Sequence, residues 1–475
     1  MATRVACFGQ SPEFIQEASR GLSDAAEAAV AGRFLIEYVS AQPPTGFRPM
    51  SLSVYDALLA RAAIIAGYGM VSDIVHFNIA RVEVAMLGSG RLGFRPDQYR
   101  AAMDDYGKRF AATQVASAGE RFRQHWDHPN EVDEAWRSQV EQATEAEFGF
   151  PLSRLLELLA IAIEMGLQNP PIVRMKYEDA VTRFAEHAEW DEQTVQTSLE
   201  MFLSRPRKDF FPKGNGLTRE DVYPWRYGRR LSYLRKPFVV EESVDTWLIW
   251  GHRHVRDAQR YLLHTCFGGR LQAVSGEMKA LVSRHANRGG EVFNDQVANR
   301  LERLPGMLVK RRVKKVGSGG QAIQPPGDID VLVFNTLTHT IYVLECKNLA
   351  FARTPFELAS EIRALTESTL HHKSIIQKHQ RRVQWVRENL ATILAWAGFD
   401  GGESWTVRSA VVVDEPVMSP KLRNLGEPVF DITELSGASD LGLDALCTVV
   451  FTPFPVADEA GKPLSYRSAE WVVEG

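Results

Sequence analysis

Apolar residues recur at helical spacing through much of the first 200 positions and gather into short runs in the last 200. The segment Ser153-Arg-Leu-Leu-Glu-Leu-Leu-Ala-Ile-Ala-Ile-Glu-Met-Gly166 shows the first pattern, with a Ser cap, apolar positions on one helical stripe and a closing Gly. Residues 20 to about 204 read as a run of helices, punctuated by Pro43-Pro44 and Pro170-Pro171. No repeat of fixed period occurs, so a solenoid has little support. The most apolar window, Tyr55 to Val75, is broken by Arg61 and Asp73 and is short for a membrane span, which predicts a buried helix. Leu87-Gly-Ser-Gly-Arg-Leu-Gly93 lacks the Gly-Lys-Ser/Thr end of a phosphate-binding loop and reads as a tight turn between helices.

From Ser204 to Gly228 the chain becomes rich in Pro, Gly and charge, as a connection between domains would be. Phe238-Val239-Val240 reads as a strand, and a helical segment runs through Trp250 to Arg284. After Gly289-Gly290 a helix is predicted from Glu291 to Leu304, with Phe293, Val297, Leu301 and Leu304 on one face and Pro305-Gly306 ending it. Leu308 to Val316 is extended, Asp328–Phe334 and Ile341–Lys347 are strands, and residues 335–340 turn between them. Helices are expected at Pro355–Thr366 and His372–Trp396, the second with Ile376, Val383, Val386, Leu390 and Leu394 toward the core. Trp405–Val413 and Pro428–Ile432 complete an α/β layer on a mixed sheet flanked by helices. The expected division is a mainly α-helical region over 1–204, a connecting segment with a helix over 205–271, and an α/β domain over 272–475.

A chain of 475 residues exceeds one ordinary core, in keeping with that division. Its 45% hydrophobic and 24% charged residues are those of a globular protein, and a net charge of −4 excludes a uniformly basic nucleic-acid coat. Cys7, Cys266, Cys346 and Cys447 form no CxxC pair, which fits a reducing cytoplasm, and the N-terminus carries no signal-peptide pattern. His252 with His254, and His125 with His128, have metal-compatible spacings but no Cys or acid partners suited to zinc.

Reaction chemistry is named by one stretch, Gly327-Asp328-Ile329-Asp330-Val331-Leu332 followed by Glu345-Cys346-Lys347. Strand alternation sets Asp328 and Asp330 on one face, with Ile329, Val331 and Val333 on the other. On the next strand Ile341, Val343, Glu345 and Lys347 share a face. A hairpin would then gather two or three carboxylates and one ammonium among apolar residues. Burying such ions unpaired costs several kcal/mol each. A hard divalent cation with oxygen ligands removes that cost, and it could polarise a phosphoryl oxygen and activate water. Lys347 beside it would stabilise the developing charge or orient the water. The bland alternative is an acid–lysine ion pair on an exposed strand edge.

Over roughly residues 272 to 440 the chain resembles the PD-(D/E)XK nuclease superfamily, with the restriction-endonuclease-like fold, in its nuclease-related-domain form. The resemblance rests on Gly290-Glu291, Gly327-Asp328-Ile329-Asp330, Glu345-Cys346-Lys347 and the Asn348 that follows. It implies that Asp330 and Glu345 are metal ligands, that Lys347 is the catalytic lysine, and that Glu291 is the first-helix acid completing the site. The family's Pro-Asp is Ile-Asp here, which leaves a choice between Asp328 and Asp330 and favours the second. The implied cofactor is Mg²⁺, with Mn²⁺ able to substitute, and the implied substrate is DNA.

Basic residues frame this stretch. Lys310-Arg311-Arg312-Val313-Lys314-Lys315 offers five cations to phosphate, or else a charged edge strand that blocks aggregation. The following helix carries Lys373, Lys378, Arg381 and Arg382 around Gln377 and Gln380. Lys373, Gln377 or Gln380 could touch phosphate or the attacking water, a solvated face being the alternative. The expectation is a cytoplasmic Mg²⁺-dependent DNA endonuclease acting in defence against foreign DNA or in repair, with no membrane association. Its helical region would recognise a substrate feature, a partner protein or a second copy. Rival readings are a non-cutting nucleic-acid-binding or scaffold protein on the same fold, and an RNA or structure-specific nuclease.

Overall fold

The apolar periodicities resolve into two compact units in a computed structural model of the chain. It describes residues 12–448, except 47–48, 97, 105, 108–133, 169–170, 213–215, 268–270, 272, 318–321, 350–351, 369–372, 400–401, 403 and 437–439. One compact unit takes 12–72 and 134–285, the other 73–107 and 286–448.

From the N-terminus come α1 (Pro12–Ala41), α2 (Leu52–His76), β1 (Glu83–Met86), β2 (Leu92–Arg95), α3 (Glu134–Phe148) and α4 (Leu152–Gln168). Then follow β3 (Ile172–Lys176), α5 (Tyr177–Ala188), α6 (Glu192–Glu200), β4 (Leu203–Ser204), β5 (Phe238–Glu242), β6 (Thr246–Gly251), α7 (His252–Phe267) and α8 (Gly276–Leu301). The first unit is therefore not a run of helices alone. Its four-stranded sheet has the order β3-β6-β5-β4, antiparallel except where β4 meets β5. Leu155, Leu158, Leu159, Phe184, Leu199, Phe238 and Leu248 form its core with Trp250. Trp250, expected to begin a helix, instead lies in β6, and its buried indole N–H donates to the Ala162 carbonyl at 3.0 Å.

Two further expectations change. The apolar helix α2 is not buried. An 18-residue window of it, apolar and long enough to cross a membrane by composition, is only 28% covered, and Ile64, Ile65, Tyr68 and Val75 are exposed. Small residues explain which side is covered, because Ala62 and Ala66 are buried and a Cβ on Gly69 would collide with the Trp225 ring. The Gly-rich segment after Met86 turns between the strands β1 and β2 rather than between helices, with the Leu87 N–H donating to the Arg91 carbonyl and Gly90 at φ 75°.

The second unit continues with β7 (Met307–Val313), β8 (Ile329–Asn335), β9 (Thr340–Lys347), α9 (Pro355–Thr366), α10 (Ile375–Glu388), α11 (Leu390–Ala397), β10 (Thr406–Val413), α12 (Ser419–Leu422), β11 (Val429–Asp431), α13 (Ile432–Ser436) and α14 (Asp440–Leu446). Its mixed sheet has the order β11-β10-β9-β8-β7. Strands β7, β8 and β9 form an antiparallel meander, while β10 is parallel to both β9 and β11. Helix α8 lays Phe293, Val297, Ala298 and Leu301 on one face, against Val331, Val333, Tyr342 and Leu344. Val383 and Val386 of α10, with Ile393 and Leu394 of α11, cover Leu332, Phe334, Ile341 and Val343 on the other. The single helix expected over 372–396 breaks at Asn389, whose side-chain amide donates to the Trp385 carbonyl at 2.8 Å. Helix α8 begins at Gly276, so Gly289-Gly290 lie inside it and Glu291 starts nothing.

Candidate active site

Register decides what the β8–β9 hairpin brings together. Val331 pairs with Leu344 and Leu332 with Val343, so Asp330 stands across from Glu345. Alternation then sets Asp330, Glu345 and Lys347 on the face that carries Leu332 and Val343, beneath α10. Ile329, expected on the opposite face, joins the same apolar cluster as Leu332.

The side chains converge as the pairing requires. Lys347 Nζ lies 2.7 Å from Glu345 Oε1 and 3.6 Å from Asp330 Oδ2, so one ammonium serves both carboxylates. Asp330 Oδ2 also accepts the Cys346 backbone N–H at 2.9 Å, which ties its carboxylate to the neighbouring strand. The other oxygen of Glu345 is held by the Arg382 guanidinium from α10. Arg382 in turn packs on the backbone of Gly327, where φ is 107° and a Cβ would sit 3.1 Å from Nη2. Behind this group His379 is fully buried, its Nδ1 4.0 Å from Glu345 Oε2 and its Nε2 3.6 Å from Glu427 Oε1. Glu427 accepts from the Ser409 hydroxyl of β10.

Electrostatics separates the two acids. Burial, reinforced by the charge of Glu345, holds Asp330 above the usual carboxylate range. Burial pushes Glu345 the same way, but Lys347 and Arg382 outweigh it and leave Glu345 below that range. Burial would lower Lys347, yet Glu345 and Asp330 raise it, so the ammonium stays protonated. Burial lowers His379 to about 4, which makes it a neutral imidazole at pH 7. Just past β10, Asp414 accepts the Leu349 N–H at 3.0 Å and is raised by burial to about 6.

A hard cation fits this set through two carboxylate oxygens, the number Mg²⁺ commonly takes from protein when water and phosphate supply the rest. Among the described residues no group of three or more His, Cys, Asp or Glu side chains could hold a metal. Asp330 and Glu345 would supply the carboxylate ligands, with Lys347 giving way around the ion while Arg382 keeps the second Glu345 oxygen.

The remaining expected residues scatter. Asp328 is exposed and pairs with Lys314 at 3.6 Å, away from the Lys347 group. Glu291 is exposed on α8, where it contributes to the field at Arg312. Arg311 bonds Asn299 and Glu302, and Arg312 bonds Asp295, so Asp295 of α8 and Glu302 just past its end neutralise much of the basic strand. Lys310 Nζ lies 5.6 Å from the Trp396 ring centre, and Lys315 is exposed. On the helix side Lys373 is exposed, Gln377 accepts from Ser368, and Gln380 donates to the Gly426 carbonyl at 3.3 Å. His254 is exposed, with its ring 5.0 Å from Tyr233, in no metal cluster among the described residues. Cys7, His125 and His128 fall outside the described residues.

Sequence reasoning missed His379 and Glu427 and read Arg382 as part of a solvated face. The available signal was periodicity, since Ile376, His379, Arg382, Val383 and Val386 share one helical stripe.

A family model described as anti-phage protein Upx-like matches residues 1–427 of the chain. No curated protein sequence matches it. Among solved structures, the crystal structure of protein VC1899 from Vibrio cholerae shares 10% identity, with a TM-score of 0.16. That alignment covers 67% of this chain and 57% of the other, so the chain spans little more than half of VC1899, and a score so low carries no structural argument.

Proposed function

Given that the chain belongs to the Upx-like anti-phage protein family, we propose that it defends against phage as a metal-dependent phosphodiesterase that cuts DNA on a restriction-endonuclease-like fold. The observation carrying this reading is that Asp330 and Glu345, on adjacent antiparallel strands, share the Lys347 ammonium. Support for the fold comes from the order α8, β7-β8-β9, α9–α11, β10, with a sheet that changes from antiparallel to parallel at β9.

Asp330 and Glu345 would hold the ion. A bound Mg²⁺, or Mn²⁺ in its place, would polarise a phosphoryl oxygen and lower the pKa of a water so that hydroxide is available to attack phosphorus. Lys347, protonated between two carboxylates, stabilises negative charge that grows on the phosphoryl oxygens as the P–O bond to the leaving strand breaks. Arg382 fixes the Glu345 rotamer through its second oxygen.

Purified protein is incubated with plasmid, linear, single-stranded and branched DNA and with RNA, in Mg²⁺, Mn²⁺ or EDTA, beside Lys347→Ala. Metal-dependent cleavage lost in the variant is expected; cleavage indifferent to EDTA or to the substitution removes the site. A second reading, a nucleic-acid-binding scaffold that does not cut, draws on Arg382, which neutralises Glu345 without any metal. Binding without cleavage in every condition selects that reading.

A further inference from the structure

We infer that the first unit binds a small organic anion in a cleft of about 250 Å³ beside α7, the charged head on Arg235 and Lys236 and an apolar body against Phe148, Tyr261 and Leu262. The inference does not depend on the phosphodiesterase reading, because it concerns a different unit and is measured without cleavage.

The lining is mixed in a particular way. Aromatic and aliphatic side chains from α3 and α7 make the walls, while the segment before β5 points Arg230, Arg235 and Lys236 into the same space. Such a lining costs free energy when empty of counter-charge, since cations in apolar surroundings lose hydration and repel one another. The acids nearby are already engaged. Asp221 binds Arg230, with Oδ2 to Nη2 at 2.8 Å, and Glu200 is held by Arg205. The hydrogen bond of Lys236 Nζ is to the Met201 carbonyl, at a long 3.4 Å. Arg235 has no carboxylate within ion-pair distance among the described residues. Burial first, then the charge of Arg235, holds Lys236 below the usual lysine range, and Glu200 offsets this only in part.

The complement of this surface is one anionic head, phosphate or carboxylate, joined to an apolar body. The volume sits just under that of pockets that take drug-sized ligands, so the ligand is small. A nucleoside monophosphate and a medium-chain fatty acid both meet the description.

Full-length protein is titrated calorimetrically with AMP, decanoate and inorganic phosphate, beside Arg235→Met and Lys236→Met, which keep side-chain length. Binding of AMP or decanoate is expected, and which of them binds identifies the body. Each variant weakens that binding about tenfold or more, the worth of one charge-assisted hydrogen bond. Hydrogen-exchange protection of the β5 and α7 amides does not fall in the ligand-free variants, because each loses a cation that is poorly compensated. Inorganic phosphate, without a body for the walls, binds at least about tenfold more weakly. The inference is overturned if neither organic probe binds, if inorganic phosphate binds as tightly as AMP, or if both variants bind like the parent.

Discussion

Replacing Arg382 with Met tests whether Glu345 is a buried anion maintained by its neighbours. The two side chains are 13% and 3% exposed, so solvent screens their pairing little. In the parent, two carboxylates, Asp330 and Glu345, face two cations, Lys347 and Arg382. Arg382→Met leaves two anions and one cation in the same volume. Removing one partner of a buried pair costs about 3–5 kcal/mol. Lys347 stays at 2.7 Å and compensates in part, which sets the expectation near the lower end, about 3 kcal/mol at pH 8. The pH dependence carries the sign. In the parent the folded carboxyl of Glu345 titrates below its usual range, so it adds stability above the unfolded pKa and loses it as pH falls through the folded one. Without Arg382 the upward push of burial gains ground. As pH falls toward 5 the variant relieves its charge by protonation while the parent gains nothing. The stability difference is therefore widest at pH 8 and narrows toward pH 5. Two units make a single global transition a poor readout, so the measurement is hydrogen exchange at the β9 amides. A loss under about 1 kcal/mol at pH 8, or an equal loss at both pH values, would refute the reasoning.

Three other outcomes are expected. Burial raises Glu361 of α9 to about 7, so its stability contribution is complete below the unfolded carboxylate pKa and is lost as pH rises through 7. Glu361→Gln should flatten that decline, worth about 3 kcal/mol, in the hydrogen-exchange protection of the α9 amides at pH 5 and 8; parallel pH slopes for parent and variant count against it. Gly327→Ala should cost about 1–3 kcal/mol through its positive φ and the approach to Arg382. If the contact with Arg382 matters, that cost is partly lost in an Arg382→Met background, and full additivity in a double-mutant cycle says otherwise. Ser374 caps α10 by accepting the Gln377 N–H, so Ser374→Ala should cost about 1 kcal/mol and Ser374→Asn little. Equal hydrogen-exchange protection of the α10 amides in all three proteins would exclude the cap.

How much of this was legible depended on whether the deciding force was local. Strand alternation is local geometry, and it correctly joined Asp330, Glu345 and Lys347 on one face. Pro355–Thr366 was readable to the residue, because Thr354 caps it and Pro355 opens it. Gly289-Gly290 misled, since their intrinsic cost to a helix, about 1 kcal/mol each, is overridden by the packing of α8. Strand β3, Ile172–Lys176, is too short and mixed to announce itself, and exists because β6 pairs with it. Arg382 looked like a solvated cation because its partner lies 37 positions earlier in the chain. The acids that bind Arg311 and Arg312 likewise come from another element, so a free basic strand could be imagined but not tested in one dimension. Helix α2 failed for a different reason: hydrophobicity signals a need for cover, not its presence.

The position of β9 between an antiparallel neighbour and a parallel one implies an order of assembly in time. Strands β8 and β9 are joined by residues 336–339, so their pairing closes a small loop early. Strand β10 can dock only after α9, α10 and α11 have been threaded across the sheet. The two acids would thus meet while the face above them is still open to water, and Arg382 and His379 would arrive later as a roof. Pulse-labelled hydrogen exchange during refolding should then protect Tyr342 and Leu344, whose N–H groups face β8, before Val343, whose N–H faces β10, and simultaneous protection would show that the sheet forms in a single step.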